Sequence, residues 1–342
     1  MTPHRRAEAR PDILVLRALG VGDLLTAVPA VRGLARGFPE HDLILLAPPA
    51  LEPLVRLIGG VDRLIPAAPL APLEEAPPIP KIAVNLHGRG PQSSLVLLRT
   101  RPLRLIAFAH AEVPETAGGP EWRADEHEVA RWCRLLAEEG IAADPRDLDI
   151  HPPGIPVARE LIGATVLHPG AASAARRWPL ERWAAVAADQ ARRGQRVVLT
   201  GGLHERALAD DVARMAGLVS DAVLAGRTDL AELAAVVAAA NVVVCGDTGV
   251  AHLATALRTP SVVLFGPTSP AHWGPPPERT RHRVLWKGGS GDPHGGRPDP
   301  GLLAISIDEV LDALRAIEAV PDVESDGRAE REPLPAGTGG RP

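Results

Sequence analysis

The chain has 342 residues, of which 45% are hydrophobic, and this is enough for two domains with large cores. A formal net charge of -5 gives no basic field that would draw the protein to nucleic acid, and two cysteines argue against a disulfide framework or a cysteine-rich metal site. The charged N-terminus leads straight into a short strand, so we predict no signal sequence, no transmembrane segment and a cytoplasmic protein.

The first part of the chain alternates short apolar runs with longer amphipathic ones. The predicted strands cover residues 12–19, 42–48, 81–87 and 102–108. The predicted helices cover residues 23–37 and 125–140, with a shorter helix before residue 102. Such alternation is typical of an α/β fold, in which helices cover both faces of a parallel sheet.

The stretch 141–163 contains four prolines and is predicted to connect two domains, because the alternation restarts after it. The strands predicted there cover residues 165–170, 195–202, 221–226, 241–247 and 261–267. The helices predicted there cover residues 179–194, 204–217, 229–240, 248–257 and 306–320, the last with Ser306 and Glu309 as a capping box. We therefore predict two doubly wound Rossmann-like domains facing a cleft, 1–150 and 151–320, and a disordered tail, 321–342.

The turn after the first strand, "RALGVGDLL", carries two glycines and an acid. Gly20 and Gly22 permit a tight strand-to-helix turn, but position 25 is leucine where a dinucleotide fingerprint needs its third glycine. The chain also lacks the lysine signature of a P-loop. Asp23 at the helix start is either an N-cap or a carboxylate that faces the cleft as a general base.

The loop "NLHGRGPQSS" (85–94) gathers His87, Arg89 and Ser93 at the carboxyl end of a predicted strand. A solvated loop explains these side chains. Arg89 beside two glycines is also suited to contact an anion.

Three strand ends of the second half carry further candidates. Gly170 lets backbone amides turn towards a ligand, and Arg176 with Arg177 forms a pair whose repulsion an anion between them would relieve, although a merely exposed pair is the alternative. Glu205 either caps a helix or holds a ribose diol through two acceptor oxygens. Thr228 lies at the end of the strand predicted at 221–226.

The stretch "CGDTGVAHLATAL" (245–257) places an acid, a hydroxyl, a glycine and a histidine at the start of a helix. Helix capping explains Asp247 alone. A phosphate site accounts for the four together, since a helix N-terminus offers free amides, Thr248 adds a donor and Gly249 allows close approach. His252 follows one turn after Thr248, although an isolated histidine there is more often a packed residue than a ligand.

Taken together, these motifs resemble glycosyltransferase family 9, the ADP-heptose:lipopolysaccharide heptosyltransferases. The resemblance extends from about residue 13 to 320, and "GDLLTAVPAV", "HPGA...RRWP" and "GDTGVAHLATAL...PSVVLFGPTSPAHWGP" carry it. It implies the GT-B architecture, with the acceptor side and catalytic base in 1–150 and the nucleotide-sugar donor in 151–320. It also implies inverting transfer of a sugar, by family label heptose from ADP-heptose, to a glycan or lipopolysaccharide-core-like acceptor, with no cofactor and no bound metal.

Carried over residue by residue, the resemblance makes Asp23 the catalytic base. Thr248 and Gly249 match the family's diphosphate-binding turn, with Asp247 and His252 beside it. Arg176 stands where many members have a phosphate-contacting lysine.

Glu205 falls where the family holds the ribose and Thr228 near the nucleotide base, while Gly170 belongs to the donor side. The 85–94 loop corresponds to an acceptor-side segment without a specific role.

The implied partners are a nucleotide-diphosphate sugar and a glycan or a lipid-linked acceptor, which a cytoplasmic protein would meet at the inner face of the membrane. Two alternatives stay open from the sequence. One is a sugar-nucleotide epimerase on the same scaffold, and the other is a nucleotide-binding protein without turnover. A dehydrogenase is disfavoured by the broken glycine pattern.

Overall fold

A computed structural model of the protein describes residues 12–73 and 79–319, and it contains two parallel β-sheets. The predicted tail, 321–342, lies outside the described residues. The strands are β1 (Asp12–Leu16), β2 (Asp42–Ala47), β3 (Arg63–Pro66), β4 (Ile82–Asn85), β5 (Arg104–Ile106), β6 (Thr165–His168), β7 (Val197–Leu199), β8 (Val242–Gly246), β9 (Ser261–Leu264) and β10 (His282–Leu285).

Helices connect the strands on both faces of each sheet. In the first half they are α1 (Val21–Thr26), α2 (Val28–Gly37), α3 (Glu52–Ile58), α4 (Gln92–Leu98) and α5 (Glu128–Glu138). In the second half they are α6 (Leu180–Arg192), α7 (Arg206–Ala216), α8 (Leu230–Ala239), α9 (Gly249–Ala256), α10 (Pro270–Trp273), α11 (Pro300–Leu303) and α12 (Ile307–Glu318). Short 3-10 turns include Ala174–Arg176, Leu203–Glu205 and Ser220–Ala222.

Each sheet has one point where its strand order reverses. The first sheet runs β3-β2-β1-β4-β5 and the second β10-β9-β8-β6-β7, with every pairing parallel. The reversals fall between β1 and β4 and between β6 and β8. In doubly wound sheets a crevice for ligands opens at the carboxyl ends of those strands. The α/β class with two parallel sheets is therefore as predicted.

The strands are apolar because both faces of each sheet are covered. All residues of β4, β6 and β9 are buried. In β1 every residue except the first, Asp12, is buried. Leucine and β-branched side chains form near-continuous runs in such strands instead of alternating with polar ones. One apolar cluster extends through both halves, from Val15 and Leu24 to Leu253 and Val263.

The helix predicted at 23–37 is in fact two helices. α1 ends at Thr26, Ala27 serves as both C-cap and N-cap, and Pro29 lies in the first turn of α2. Proline has no backbone N–H, and its ring clashes with the carbonyl four residues earlier, so it is accommodated in a first turn and not inside one long helix.

The strand predicted at 221–226 is wrong. A 3-10 turn occupies Ser220–Ala222, and Val223 forms one isolated bridge with Leu199. The N–H groups of Leu224 and Ala225 both donate to the Leu199 carbonyl. Two consecutive residues that share one acceptor do not continue a ladder of strand pairing, so the chain leaves the sheet here. The elements α3, β3 and β10 and the short helices α10 and α11 were not predicted. The capping box of α12 is confirmed, with Ser306 Oγ accepting from Glu309 N at 3.3 Å.

The two halves meet where α1 packs against α9. The interface uses glycines: a Cβ added to Gly22 would lie 2.7 Å from His252 Cδ2, and one added to Gly249 would lie 2.8 Å from Val21 Cβ. The stretch 141–163, which connects the two halves, also contacts the second half, since Ile150 N donates to Ala256 O at 2.9 Å. This packing brings the carboxyl ends of the two sheets together.

Candidate active site

The starts of α1 and α9 lie against each other, at the reversal points of the two sheets. α1 follows β1 and carries Asp23, whereas α9 follows β8 and begins at Gly249 after Thr248. Gly249 approaches so closely that its added Cβ would lie 3.3 Å from Gly22 N. The predicted base and the predicted phosphate turn therefore border the same seam between the halves.

The sequence left open whether Asp23 caps α1 or presents an accessible carboxylate, and the structure shows both features. Its Oδ2 accepts a hydrogen bond from Gly20 N at 3.1 Å, which closes the first turn of α1. Its side chain is nevertheless 28% exposed, and Oδ1 lies 3.5 Å from Nη2 of the buried Arg17. A carboxylate that is anchored on one oxygen and accessible at a seam can accept a proton from a ligand.

His87 lies within electrostatic range of Asp23, as expected for the loop after β4. Burial lowers the pKa of His87, the charge of Arg17 lowers it further, and Asp23 opposes both. The backbone N–H of His87 donates to Asn85 Oδ1 at 3.0 Å. Its buried Nδ1 has no hydrogen-bond partner within the described chain. A neutral imidazole therefore stands beside the candidate base.

The other two residues of this loop differ from one another. Arg89 is exposed, as expected for a loop. Ser93, which we placed in the loop, instead lies on α4, is buried, and accepts a hydrogen bond from Asn85 Nδ2 at 2.9 Å. Because its hydroxyl accepts the hydrogen bond from Asn85, Ser93 supports the turn after β4 from the buried side. The acceptor-side role of the loop stays a prediction.

The start of α9 has the features of an anion site. Thr248 occupies the N-cap position, but its side chain makes no capping hydrogen bond. Its Oγ1 is buried and has no partner in hydrogen-bond geometry among the described residues, although the Cys245 thiol lies beside it. The N–H groups of a first helical turn have no acceptor within the helix, and they carry the positive end of its dipole. At the start of α9, Ala251 N donates to Thr248 O at 3.0 Å. The first two amides of the helix therefore stand beside the Thr248 hydroxyl as the donors available to an anion.

Asp247 is buried beside this turn and does not cap α9, so the capping interpretation is wrong for it. Its backbone carbonyl accepts from Arg176 Nη1 at 3.1 Å. Burial raises the pKa of its carboxyl, and this is opposed by the charges of His252 and Arg176 and by a hydrogen bond with Thr268. Asp247 is thus hydrogen-bonded to Arg176 and Thr268 and lies within electrostatic range of His252.

His252 is the residue through which α9 faces the first half. Burial lowers its pKa to about 4, opposed by Asp247 and Glu128, while His127 and Arg17 lower it further. Its ring packs edge-on against Trp273 with centroids 5.8 Å apart. The imidazole is therefore neutral near pH 7.

Arg176 and Arg177 do not form a repelling pair that needs an anion between them. Arg176 donates to the Asp247 carbonyl, whereas Arg177 Nε donates to Ala171 O at 3.0 Å. The two guanidinium groups therefore bind different carbonyls. Arg176 alone is held next to the start of α9.

Glu205 and Gly170 are in contact at the carboxyl ends of β6 and β7. A Cβ on Gly170 would lie 2.0 Å from Glu205 Oε1, and Glu205 Oε2 accepts from Gly202 N at 2.8 Å. Thr228 is half-buried on a neighbouring segment, which is joined to this region by Gly226 N donating to Gly201 O at 2.9 Å. The structure therefore gathers the three residues on one side of the start of α9.

Several contributing residues were not predicted. Arg17 could have been noticed as a charged residue in the apolar run "DILVLRAL", and Thr268 lies within the quoted motif "GPTSPAHWGP". Glu128 gave no signal because acids are ordinary in first helical turns, and His127 was a single histidine outside the quoted motifs.

Neither residues 12–73 nor 79–319 contain a group of three His, Cys, Asp or Glu side chains that could hold a metal ion. In the same residues no helix has the length and apolarity needed to cross a membrane.

Comparison with known proteins gives a family and a fold. The sequence model of glycosyltransferase family 9 (heptosyltransferase) matches residues 120–291, half of the chain. None of the curated proteins matches the chain in sequence. Many solved structures do match it in fold.

Three of these structures cover nearly the whole chain. E. coli ADP-heptose LPS heptosyltransferase II is similar with a TM-score of 0.70 and 23% identity, over 90% of this chain and 98% of that one. A glycosyltransferase family 9 protein of Veillonella parvula has a TM-score of 0.70 and 19% identity, over 90% and 97%. E. coli heptosyltransferase WaaC with ADP has a TM-score of 0.67 and 20% identity, over 90% and 99%. The predicted GT-B architecture is confirmed.

Proposed function

Because the chain belongs to glycosyltransferase family 9, we propose that it is an inverting transferase that moves a sugar from a nucleoside diphosphate to the hydroxyl of a glycan or lipid-linked acceptor. The observation that carries this proposal is the seam between α1 and α9. It joins an accessible carboxylate, Asp23, to a helix start with an unpartnered hydroxyl, Thr248. Transfer with inversion needs these two elements on opposite sides of one sugar carbon.

On the donor side, the diphosphate would lie at the start of α9. The first two amides of α9 and the Thr248 hydroxyl would supply donors, and Arg176 supplies a fixed positive charge, held by the Asp247 carbonyl. Preorganised donors of this kind stabilise the charge that develops on the leaving diphosphate, and removing one costs about 3–4 kcal/mol of transition-state stabilisation. Glu205 would accept hydrogen bonds from the ribose hydroxyls, with Thr228 near the nucleotide base. This set of residues makes metal-independent transfer the simplest proposal.

On the acceptor side, Asp23 would take the proton of the attacking hydroxyl. Its exposed carboxylate opens towards the seam, and neutral His87 stands beside it without adding a competing positive charge. The attacking oxygen would approach from the α1 side while the diphosphate leaves towards α9. General base catalysis of this type contributes about 10²–10⁴-fold to a rate.

We propose ADP-heptose as the donor and a lipopolysaccharide-core-like glycan as the acceptor. The support is the described chemistry of two similar structures, an ADP-heptose LPS heptosyltransferase and a heptosyltransferase with ADP. If the acceptor is lipid-linked, the protein would act as a cytoplasmic, peripheral enzyme at the inner face of the membrane.

The first test is a thermal-shift screen with ADP, UDP and GDP and their sugar derivatives. ADP should raise the unfolding midpoint of the wild type, and a Thr248→Ala/His252→Ala double variant should lose this response. Thr100→Ala is the matched control, since its hydroxyl bonds only Leu97 O in the first half. A preference for UDP or GDP would keep the transferase and discard the heptose donor. The absence of any nucleotide response would reject the donor site.

The second test separates transfer from binding. Asp23→Asn should bind the nucleotide as the wild type does and lose sugar transfer to acceptor glycans by about 10²–10⁴-fold. Product analysis by mass spectrometry distinguishes a glycosylated acceptor from an epimerised donor. Unchanged transfer by Asp23→Asn would contradict its role as the base, and an epimerised donor would replace the transferase with an epimerase.

A further inference from the structure

The side chain of Arg17 ends in the interior directly behind α1. Arg17 is 1% exposed. Its Nε donates to Asp23 O at 2.8 Å, its Nη1 to Leu86 O at 2.5 Å, and its Nη2 to Thr26 Oγ1 at 3.2 Å. One guanidinium group therefore holds the backbone of α1 at Asp23 and ties it to the chain that follows β4.

The charge of Arg17 is shared between two carboxylates. Its Nη2 lies 2.9 Å from Glu128 Oε1 and 3.5 Å from Asp23 Oδ1. An uncompensated buried charge costs several kcal/mol, so a buried arginine needs a close counter-charge. Glu128 supplies it at the shorter distance, and Asp23 is left with a longer, partial interaction and an accessible face.

Glu128 itself is rigidly held. It is buried, and it accepts hydrogen bonds from Trp132 Nε1 at 3.0 Å and from Arg131 Nη1. The Arg17 guanidinium lies over the Trp132 ring, 4.8 Å from its centroid. Glu128 therefore stays in place as the partner of Arg17.

We infer that Arg17 is a positioning residue for Asp23, which it holds by the backbone carbonyl and the carboxylate together, while Glu128 balances its charge so that Asp23 stays available to a ligand. This inference rests on the proposed function, since the base role of Asp23 belongs to it. The planar fork of arginine can serve several acceptors in fixed directions, and the ammonium of lysine cannot.

Other titratable groups surround this pair. His87, after β4, is affected by the charges of both Arg17 and Asp23, and His252, on α9, by those of Arg17 and Glu128. The titration of His87 therefore reports on the charge of Arg17 without any need for substrate.

The decisive experiment compares kcat, the donor KM and the pH profile of kcat in three variants. Arg17→Lys keeps the charge and loses the hydrogen-bond pattern, so kcat should fall about 10–100-fold, because small misplacements of a reacting group cost up to about 10²-fold. The donor KM should change less than about twofold, since α9 is untouched. The control is Arg32→Lys, because Arg32 on α2 also donates to a carbonyl, Ile58 O at 2.7 Å, and pairs with a carboxylate, Asp147.

Glu128→Gln tests the charge balance. Arg17 would then have Asp23 as its remaining carboxylate partner and would stabilise its ionised form. We expect the acidic midpoint of the kcat profile to lie at lower pH than in the wild type, because the variant removes the negative charge of Glu128 and leaves the charge of Arg17 in place. An unmoved midpoint, or a kcat for Arg17→Lys no lower than that of Arg32→Lys, would overturn the inference.

Failure of the proposed function would be visible separately, as an absence of turnover in the wild type with every nucleotide sugar. In that case NMR titration of His87 tests the electrostatic contact between Arg17 and the site, on which the inference depends. Arg17→Gln and Arg17→Met should both raise the pH at which His87 titrates, while Arg17→Lys and Arg32→Lys leave it near the wild-type value. One of these two neutral variants is sufficient if it folds. An unchanged titration of His87 would overturn the inference, because the charge of Arg17 would then not act on the site.

Discussion

The contact between Gly249 and Val21 predicts that a single methyl group disrupts the seam between the two halves. In Gly249→Ala the new Cβ would lie 2.8 Å from Val21 Cβ and 3.2 Å from Val21 Cγ1. Carbon atoms pack at about 3.5–4.0 Å, so α1 and α9 must separate by about 0.7–1.2 Å. No rotamer change relieves the first contact, because both Cβ positions are fixed by the backbone.

The size of the effect follows from two opposing terms. Overpacking costs about 1–3 kcal/mol, whereas replacing glycine by alanine gains about 0.4–1 kcal/mol by restricting the unfolded chain. The cost exceeds the gain over most of these ranges, and we expect a net loss of up to about 2.5 kcal/mol. At about 2–4 °C per kcal/mol, the unfolding midpoint should fall by up to about 10 °C.

The assay is thermal unfolding together with calorimetric titration of ADP. Because the seam includes the start of α9, nucleotide affinity should fall as well, by about tenfold for each 1.4 kcal/mol lost in the bound state. Gly154→Ala is the matched control, since its Cβ would meet nothing within 4 Å. Equal stability and equal ADP affinity in the two variants would refute the view that the seam is tightly packed.

Three further predictions concern the start of α9. Thr248→Ala should leave stability within about 0.5 kcal/mol of the wild type, because the neighbour of its buried hydroxyl is the Cys245 thiol, a weak hydrogen-bonding group, yet weaken ADP binding in calorimetry. Arg176→Ala should weaken ADP binding about 10–100-fold, the worth of a hydrogen bond to a charged group, and Arg176→Lys should restore part of it. His252 has a pKa of about 4 in the folded protein against about 6.5 when unfolded, so the unfolded chain binds the extra proton between these values. Stability should therefore rise with pH across that window, by at most about 3 kcal/mol, and His252→Gln should flatten this part of the denaturation–pH curve relative to the wild type. An equally steep curve for His252→Gln would contradict this assignment.

Features that depend on a few neighbouring residues could be read from the sequence. The capping box of α12 needs only Ser306 and Glu309, and the buried strands need only their apolar runs. The break between α1 and α2, at Ala27 and two residues before Pro29, was missed although it is equally local. The amphipathic pattern continues through both helices. Val223 was assigned to a strand because its segment is apolar, and only the turn of the chain after Leu199 shows that one bridge forms.

The site residues could be named individually, but their partners could not. Asp23 and Thr248 are far apart in the sequence, and their proximity depends on glycines that let α1 and α9 approach. Likewise Arg17 meets Glu128 only because α5 packs against α2 and brings its first residue to Arg17, and no spacing in the sequence records that contact. The burial of Ser93 also depends on a contact between two elements, because its partner, the Asn85 amide, lies at the end of β4 while Ser93 lies on α4.

In the proposed mechanism the start of α9 would serve two purposes, which links donor binding to the position of the proposed base, Asp23. The turn proposed to bind the phosphate is also the surface against which α1 packs, through Gly249 against Val21 and His252 against Gly22. A diphosphate bound there would be held by a helix whose position also fixes the start of α1. Any displacement of α9 that weakens the donor site must therefore move the backbone next to Asp23 as well. A variant that loosens the seam should for this reason lower nucleotide affinity and kcat together, whereas a change behind α1, at Arg17, should lower kcat alone.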